Sequence, residues 1–242
     1  MRMRFVRRGG AVGAVVAAAL LLGAMPASAA PGDGSAYAAK VAVTLLGTPA
    51  VAVGPLAPSN TNGPTSASVA NVNAAGLVTT GLVTSSATLD QETGVVHAQA
   101  DIANVGLGLA ALTGKIGAVN ATCDATQAGV TGSSTLAGVA IPGVNVAANP
   151  APNTTVNLLL AKIVFNEQIT GDDGSLTVNA VHIYLNAVVG SGDVVLAQAK
   201  CGPAAPPIPL ASGAGLWLGL GLLVLAAIPA AFVIRKRRTA IA

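Results

Sequence analysis

Eight of the twelve lysines and arginines in this 242-residue chain sit in two tight clusters, each beside an uncharged apolar run. Arg2, Arg4, Arg7 and Arg8 stand at one end, and Arg235, Lys236, Arg237 and Arg238 at the other. All nine acidic residues lie between the clusters. Charge is costly to place in a bilayer and basic flanks stay on the cytoplasmic side. This layout therefore confines any folded domain to the stretch between the two runs and places it on the far side of a membrane.

The N-terminus has the three parts of a secretory signal. Met1–Arg8 is basic, Ala11–Met25 is apolar but at about fifteen residues short for a spanning helix, and Pro26 precedes the small-x-small site Ala27-Ser28-Ala29. A signal peptide over 1–30 is expected, with cleavage after Ala29 or Ala30. An uncleaved anchor helix is the alternative. Arg7-Arg8 suggests a twin-arginine signal, but Gly9-Gly10 stands where bulky hydrophobic residues belong. At the other end, Ala214–Ile234 is an uncharged run of 21 residues. As a helix it spans about 31 Å, close to the hydrocarbon thickness. Trp217 suits the outer interface, Pro229 is tolerated, and the tail 235–242 stops transfer. The order also matches a sortase signal, but Gly213 and Ala214 occupy the places of the required Thr and Gly. The expected location is the cell membrane, single-pass, with the N-terminal domain outside; wall attachment is the lesser alternative.

The middle carries Lys40, Lys115, Lys162 and Lys200 against nine acids, a net charge of 4 − 9 = −5. The basic pI of the whole chain is thus topological, and an acidic segment without a basic patch speaks against nucleic acid as a partner. Its length suits one extracellular domain over 31–201, followed by the Pro-rich stretch 202–213 (GPAAPPIP begins it at Gly202), expected to be an extended stalk. Cys123 and Cys201 both fall in the exported part, where oxidation is permitted. A Cys123–Cys201 disulfide would close a loop of 78 residues, worth roughly 3–4 kcal/mol by the chain-entropy model. A metal pair or a reactive thiol are the alternatives, and neither has supporting ligands nearby.

Period-two alternation recurs through this region and no 3.6-residue apolar period does. Strands are expected over 36–46, 94–105, 115–122, 139–147, 154–160, 163–170, 176–188 and 194–201. Asp90–Gly94, Gly171-Asp172-Asp173-Gly174 and Gly190-Ser191-Gly192-Asp193 read as turns, Gly132-Ser133-Ser134 as another, and Pro55–Pro64 as a long polar loop. The fold class that follows is all-β, an antiparallel β-sandwich-like ectodomain, with the signal peptide and one C-terminal transmembrane helix outside it. A β-solenoid lacks a fixed repeat.

Chemistry-bearing residues are few. His97 and His182 lie in alternating strands, where a histidine is usually a surface or semi-buried residue; a general-base or metal role would need the fold to bring the two together with Asp101. The acidic turns Asp90/Glu92 and Asp172/Asp173 have oxygen ligands for calcium but not the spacing of a loop motif. There is no G-x-S-x-G, Walker, dinucleotide or H-E-x-x-H motif, so no catalytic, cofactor-binding or metal residues are assigned and no cofactor is expected. Asn120-Ala121-Thr122 and Asn153-Thr154-Thr155 match the glycosylation sequon.

Cys123, the segment Asn149-Pro150-Ala151-Pro152-Asn153, then Phe165-Asn166-Glu167-Gln168, and Val178–Tyr184 through to Cys201 together resemble the choice-of-anchor P family of actinobacterial surface proteins. The resemblance covers most of the ectodomain and implies one exported domain fitted with different C-terminal anchors. It implies no activity, substrate or catalytic residue. Asn166-Glu167-Gln168 reads as a structural signature held by a buried amide network. The expected function is that of a membrane-anchored surface protein, structural or adhesive and not an enzyme. The alternative is a module binding an extracellular glycan or envelope polymer, with calcium assistance, and another surface protein is a further candidate partner. An envelope hydrolase using His97 or His182 is the remaining class.

Overall fold

The computed structural model describes residues 30–207 except 47–49, 110–111 and 188–189. The expected signal peptide and C-terminal helix lie outside the described residues. Among those residues no helix is long and apolar enough to cross a membrane.

The described chain is all-β, in two seven-stranded antiparallel sheets packed face to face. The first sheet holds β1 (Gly34–Leu45), β2 (Val51–Leu56), β3 (Ser59–Asn60), β11 (Thr154–Asn157), β12 (Ala161–Thr170), β13 (Leu176–Leu185) and β14 (Gly190–Cys201). Its order is β11-β12-β13-β14-β1-β2, with β3 also beside β1. The second holds β4 (Ser66–Val69), β5 (Asn73–Ala74), β6 (Val78–Thr79), β7 (Val83–Leu89), β8 (Val96–Leu109), β9 (Leu112–Thr126) and β10 (Gly129–Ala137). Its order is β10-β9-β8-β6-β5, with β7 on another part of β8 and β4 outside β7. The last strand, β14, pairs with the first along its length, from Gly34↔Cys201 to Leu45↔Gly190. Long-range pairing of this kind ties the two ends of the domain together.

The core is built from small aliphatic side chains, because the alternating positions are mostly Val, Ala, Ile and Leu. Phe165, the one phenylalanine among the described residues, is fully buried. Cys123 on β9 and Cys201 on β14 form a disulfide between the two sheets, with Cα atoms 5.7 Å apart. The metal-pair and reactive-thiol alternatives fall with it, since no described cysteine is free.

Alternation is not continuous along the long strands. On β8 the buried positions run Val96, Ala98, Ala100, Ile102 and then Val105, Leu107, Leu109. The phase reverses around Asn104, which has a left-handed φ of 54°. On the first sheet Asn166 (φ 50°) and Ala197 (φ 53°) do the same. The pairings skip Asn166, Ala180, Ala197 and Ala38, which lie in line across β12, β13, β14 and β1. Because every strand on that line carries an extra residue, register survives while the faces exchange. Asparagine tolerates this backbone region well; alanine does so at a cost of about 1–2 kcal/mol.

Several expectations are corrected by this arrangement. Residues 139–147 are not a strand; Ala140 makes one bridge to Lys115, and Val139, Ile141, Val144 and Val146 pack as a cover on the core. Pro142 cannot donate to a ladder, which breaks the run. Gly132-Ser133-Ser134 is not a turn but the middle of β10; a Cβ on Gly132 would overlap Val178 of the facing sheet, so this glycine serves inter-sheet approach. Gly190–Asp193 opens β14 rather than turning, and four residues of the expected loop at 55–64 lie in strands, Pro55 and Leu56 in β2 and Ser59 and Asn60 in β3. The beginning of the expected stalk is hydrogen-bonded to the domain: Gly202 N–H donates to Asp33 O (2.7 Å), Gly32 N–H to Pro203 O (2.8 Å), Ala205 N–H to Gly94 O (2.9 Å) and Gln127 Nε2 to Ala205 O (2.7 Å). Both ends of the described chain therefore leave from one end of the stack.

Candidate functional site

The densest polar cluster lies on the outer face of the first sheet and is made by the phase reversal. Asn179 and His182 are three residues apart on β13 and would point to opposite faces of a regular strand. The reversal at Ala180 brings them to one side, together with Tyr184, while Val178, Val181 and Ile183 enter the core. All three converge on Glu167 of β12. Asn179 Nδ2 donates to Oε2 (2.7 Å), His182 Nδ1 meets the same oxygen (2.5 Å), and Tyr184 OH donates to Oε1 (2.6 Å). His182 Nε2 reaches Asp193 Oδ2 (2.9 Å) on β14, and Gln198 Nε2 donates to Asn179 Oδ1 (2.7 Å). The Tyr184 ring stacks on His182 at 3.9 Å between centroids and carries Lys162 Nζ 4.2 Å above it.

The electrostatics follow from this packing. Burial opposes ionisation of Glu167, but the bonds from Tyr184, Asn179 and His182 outweigh it and hold the carboxyl below its ordinary 4.5. Burial and then the facing carboxylates raise the phenols: Tyr37, near Asp193, is pushed up to about 12, and Tyr184 is raised as well. Both nitrogens of His182 face carboxylates, so it can donate to both only as imidazolium. It has no free nitrogen with which to accept a proton from a substrate.

Asn166 and Gln168, on either side of Glu167, face the other way. Asn166 Nδ2 donates to Pro150 O (2.9 Å), and Gln168 Nε2 donates to Gly132 O (2.8 Å) on the facing sheet and to Asn166 Oδ1 (3.2 Å). Asn153 Oδ1 accepts Gln168 N–H (2.9 Å). The Asn-Glu-Gln run thus knits together the 138–153 connection, the facing sheet and the outer cluster.

His97 lies on the outer face of the second sheet, on the opposite side of the molecule from His182. Its Nδ1 meets Asp124 Oδ1 (2.5 Å), and this bond raises its pKa above 6.5, against a smaller opposing effect of burial. Asp101 does not join either histidine; it accepts from Gln99 Nε2 (2.8 Å) and Asn120 Nδ2 (2.7 Å). The register aligns these residues in transverse rows across β7, β8, β9 and β10: Thr88–His97–Asp124–Thr131, Ser86–Gln99–Thr122–Ser133 and Thr84–Asp101–Asn120–Thr135. Strand geometry makes this an all-polar grid about 14 Å on a side.

The acidic turns have local duties. Asp90 Oδ1 accepts the N–H groups of Thr93 (3.2 Å) and Glu92 (2.8 Å); the bonds from Thr93 first, then that from Glu92, lower its pKa, and Asp173 Oδ1 accepts the N–H of Ser175 (3.0 Å). Among the described residues no group of three or more His, Cys, Asp or Glu side chains is placed to hold a metal ion.

Sequence reasoning singled out His182 but not Glu167, Asn179, Tyr184, Asp193 or Gln198 as its companions. The signal was present as a three-residue step in the apolar pattern, from Val178 to Val181 on β13, and as an asparagine in mid-strand at Asn166. No protein-family model, curated protein or solved structure matches the chain.

Proposed function

We propose that this chain is a non-enzymatic surface protein, exported by a signal peptide over 1–30 and held by a transmembrane helix at Ala214–Ile234, with a structural or adhesive role at the cell envelope. Both ends of a disulfide-linked domain leaving from one end of the stack is the observation that carries this reading. It leaves the remaining surface free to face outward from an anchor. The resemblance to the choice-of-anchor P family agrees with it. The saturated state of the Glu167–His182–Asp193 cluster supports a structural rather than a catalytic use of the polar residues. Intact-mass analysis of the membrane fraction, with and without reductant, tests the reading. The expected species begins near Pro31, retains residues 235–242 and gains two hydrogens on reduction. A soluble cytoplasmic species, or one released only by wall digestion and cut near Gly213, would overturn the membrane anchor.

A second reading, a module for an extracellular glycan or envelope polymer, is favoured by the flat polar grid on β7–β10. Hydroxyl, amide and carboxylate groups at regular spacing suit a polymer of sugar hydroxyls. The turn roles of Asp90 and Asp173 weigh against calcium assistance. Co-sedimentation with purified envelope polysaccharide, lost in Gln99→Ala/Thr122→Val, is the expected result; equal sedimentation of both proteins would remove the grid from consideration.

A further inference from the structure

Ala30-Pro31-Gly32-Asp33 has the residues of a type II β-turn. Pro31 fixes the first corner, and Gly32 supplies at the second the positive φ, 89°, that such a turn requires. Asp33 N–H closes the turn on Ala30 O (2.9 Å). Folding back in this way brings Ala30 N–H onto the Asp33 side chain, where it donates to Oδ2 (2.8 Å). Asn62 Nδ2 donates to the other oxygen, Oδ1 (3.0 Å), and the main-chain carbonyl of Asp33 accepts Gly202 N–H (2.7 Å). Asp33 therefore fastens three pieces of chain together: the turn, the loop at Asn62 and the C-terminal segment. Ala30 is exposed, yet both of its backbone polar groups are engaged by the domain.

The expected cuts after Ala29 and after Ala30 are not equivalent in this setting. A cut after Ala30 would break the amide to Pro31, a tertiary amide with a ring nitrogen as the leaving atom. It would also discard the carbonyl that closes the turn and the nitrogen that meets Asp33. A cut after Ala29 keeps Ala27 and Ala29 as the pair of small residues and breaks an ordinary secondary amide. Water adds across that bond: its oxygen goes to the Ala29 carbonyl carbon, and the Ala30 nitrogen leaves as an amine that takes up protons to become ammonium. We propose that the signal peptide is removed between Ala29 and Ala30 and that Asp33 holds the new α-ammonium as an ion pair, locking the mature N-terminus to the base of the domain. The inference rests on the export reading and deepens it. A neutral N–H donor in the precursor becomes a charged one in the mature protein, and a charge-assisted bond is the stronger of the two. Processing thus tightens the end of the stack from which the C-terminal segment leaves.

The test uses protein recovered from the membrane fraction of cells expressing the full chain, as wild type and as Asp33→Asn. N-terminal sequencing should give a start at Ala30. A start at Pro31 or Gly32 overturns the proposal and leaves export standing, whereas a chain that keeps Met1 overturns the export reading as well. The ion pair is read separately, by acylating the α-amine at neutral pH and following the N-terminal peptide by mass, with the lysines as internal reference. Only the uncharged amine reacts, and a neighbouring carboxylate holds it as ammonium, so wild type should react about threefold more slowly than Asp33→Asn. Salt at about 1 M should narrow that gap, because an exposed ion pair is screened. A purely structural role for Asp33 would leave the gap unchanged by salt. Asparagine keeps the shape and an oxygen acceptor, and the same comparison on wild type before and after unfolding in urea needs no substitution. Equal acylation rates in both comparisons, or a gap indifferent to salt, overturns the ion pair.

Discussion

Glu167 shows how much one carboxylate can organise when it is withdrawn from water. Three groups from β13 end on its two oxygens, so removing it leaves Asn179 and Tyr184 without an acceptor and His182 with Asp193 alone. Glu167→Ala is expected to cost about 2–4 kcal/mol in denaturant unfolding, because unmet buried donors lose the full desolvation penalty. The pH dependence has a definite sign. A carboxyl depressed in the folded state stabilises above its unfolded pKa of 4.5 and loses that contribution as pH falls through the lower folded value. Thermal melts of wild type should decline below pH 4.5, and Glu167→Gln should flatten that decline. His97 has the opposite sign: its raised pKa stabilises below 6.5 and the benefit fades as pH rises through the folded value. The side chain is 43 % exposed, and solvent screening keeps this to about a few tenths of a kcal/mol. Asp124→Asn should bring the His97 titration midpoint down, read by NMR. The chain's two tyrosines give a further readout. Both phenols are raised, so phenolate absorbance of the folded protein should stay flat to about pH 11, whereas the unfolded chain titrates near 10.

At the scale of elements, mid-strand residues of positive φ do the shaping. Asn166 reverses the phase of β12 and also caps Pro150 O, so Asn166→Ala combines backbone strain with a lost buried hydrogen bond. A destabilisation of about 2–4 kcal/mol is expected, with Asn104→Ala, where no such bond is broken, nearer 1. Glycine matters where the C-terminal segment docks. A Cβ on Gly94 would overlap the Ala205 carbonyl, whereas one on Gly76, at a similar φ, meets nothing within 4 Å. Gly76→Ala should therefore cost only the backbone term of about 1 kcal/mol. Gly94→Ala should add release of Gly202–Ala205, seen as faster amide exchange at Gly202 and Ala205. Equal exchange in the two variants would show that the docking is not held at Gly94.

The element pattern shows how far the sequence could be read. Strict alternation was legible in Gly94–Ile102, where one face is solvated and the other buried, whereas β12–β14 were legible as strands only from their apolar and β-branched content, since each has a buried run across the phase reversal. It failed at β10, whose Gly-Ser-Ser has turn chemistry in isolation and becomes a strand only because β9 offers an edge and Val178 leaves no room for a Cβ at Gly132. It misled at 139–147, where apolar periodicity reflects a cover packed on the core rather than a ladder.

For the molecule as a whole, the inter-sheet disulfide compensates for a core of small side chains. Cys201→Ser with Cys123→Ser is expected to cost about 2–5 kcal/mol. At this domain size that lowers the melting temperature by roughly 5–15 °C, and reductant should reproduce the shift in wild type but not in the variant. An identical melt in both would mean the bond adds nothing that the strand pairing of β1 with β14 does not already supply.

Composition and periodicity by themselves determined an all-β domain with an acidic middle, and cysteine count with export signals pointed to the single disulfide. These properties are additive along the chain: each residue contributes its charge or its face whatever its distant neighbours do. The convergence of Asn179, His182 and Tyr184 on Glu167, with Asp193 behind His182, and the polar grid across β7–β10 belong to the tertiary structure. Each depends on register between strands distant in sequence and on where alternation reverses. A one-residue change of phase exchanges every side chain between core and surface, and the chain's linear pattern only hints at where that change falls.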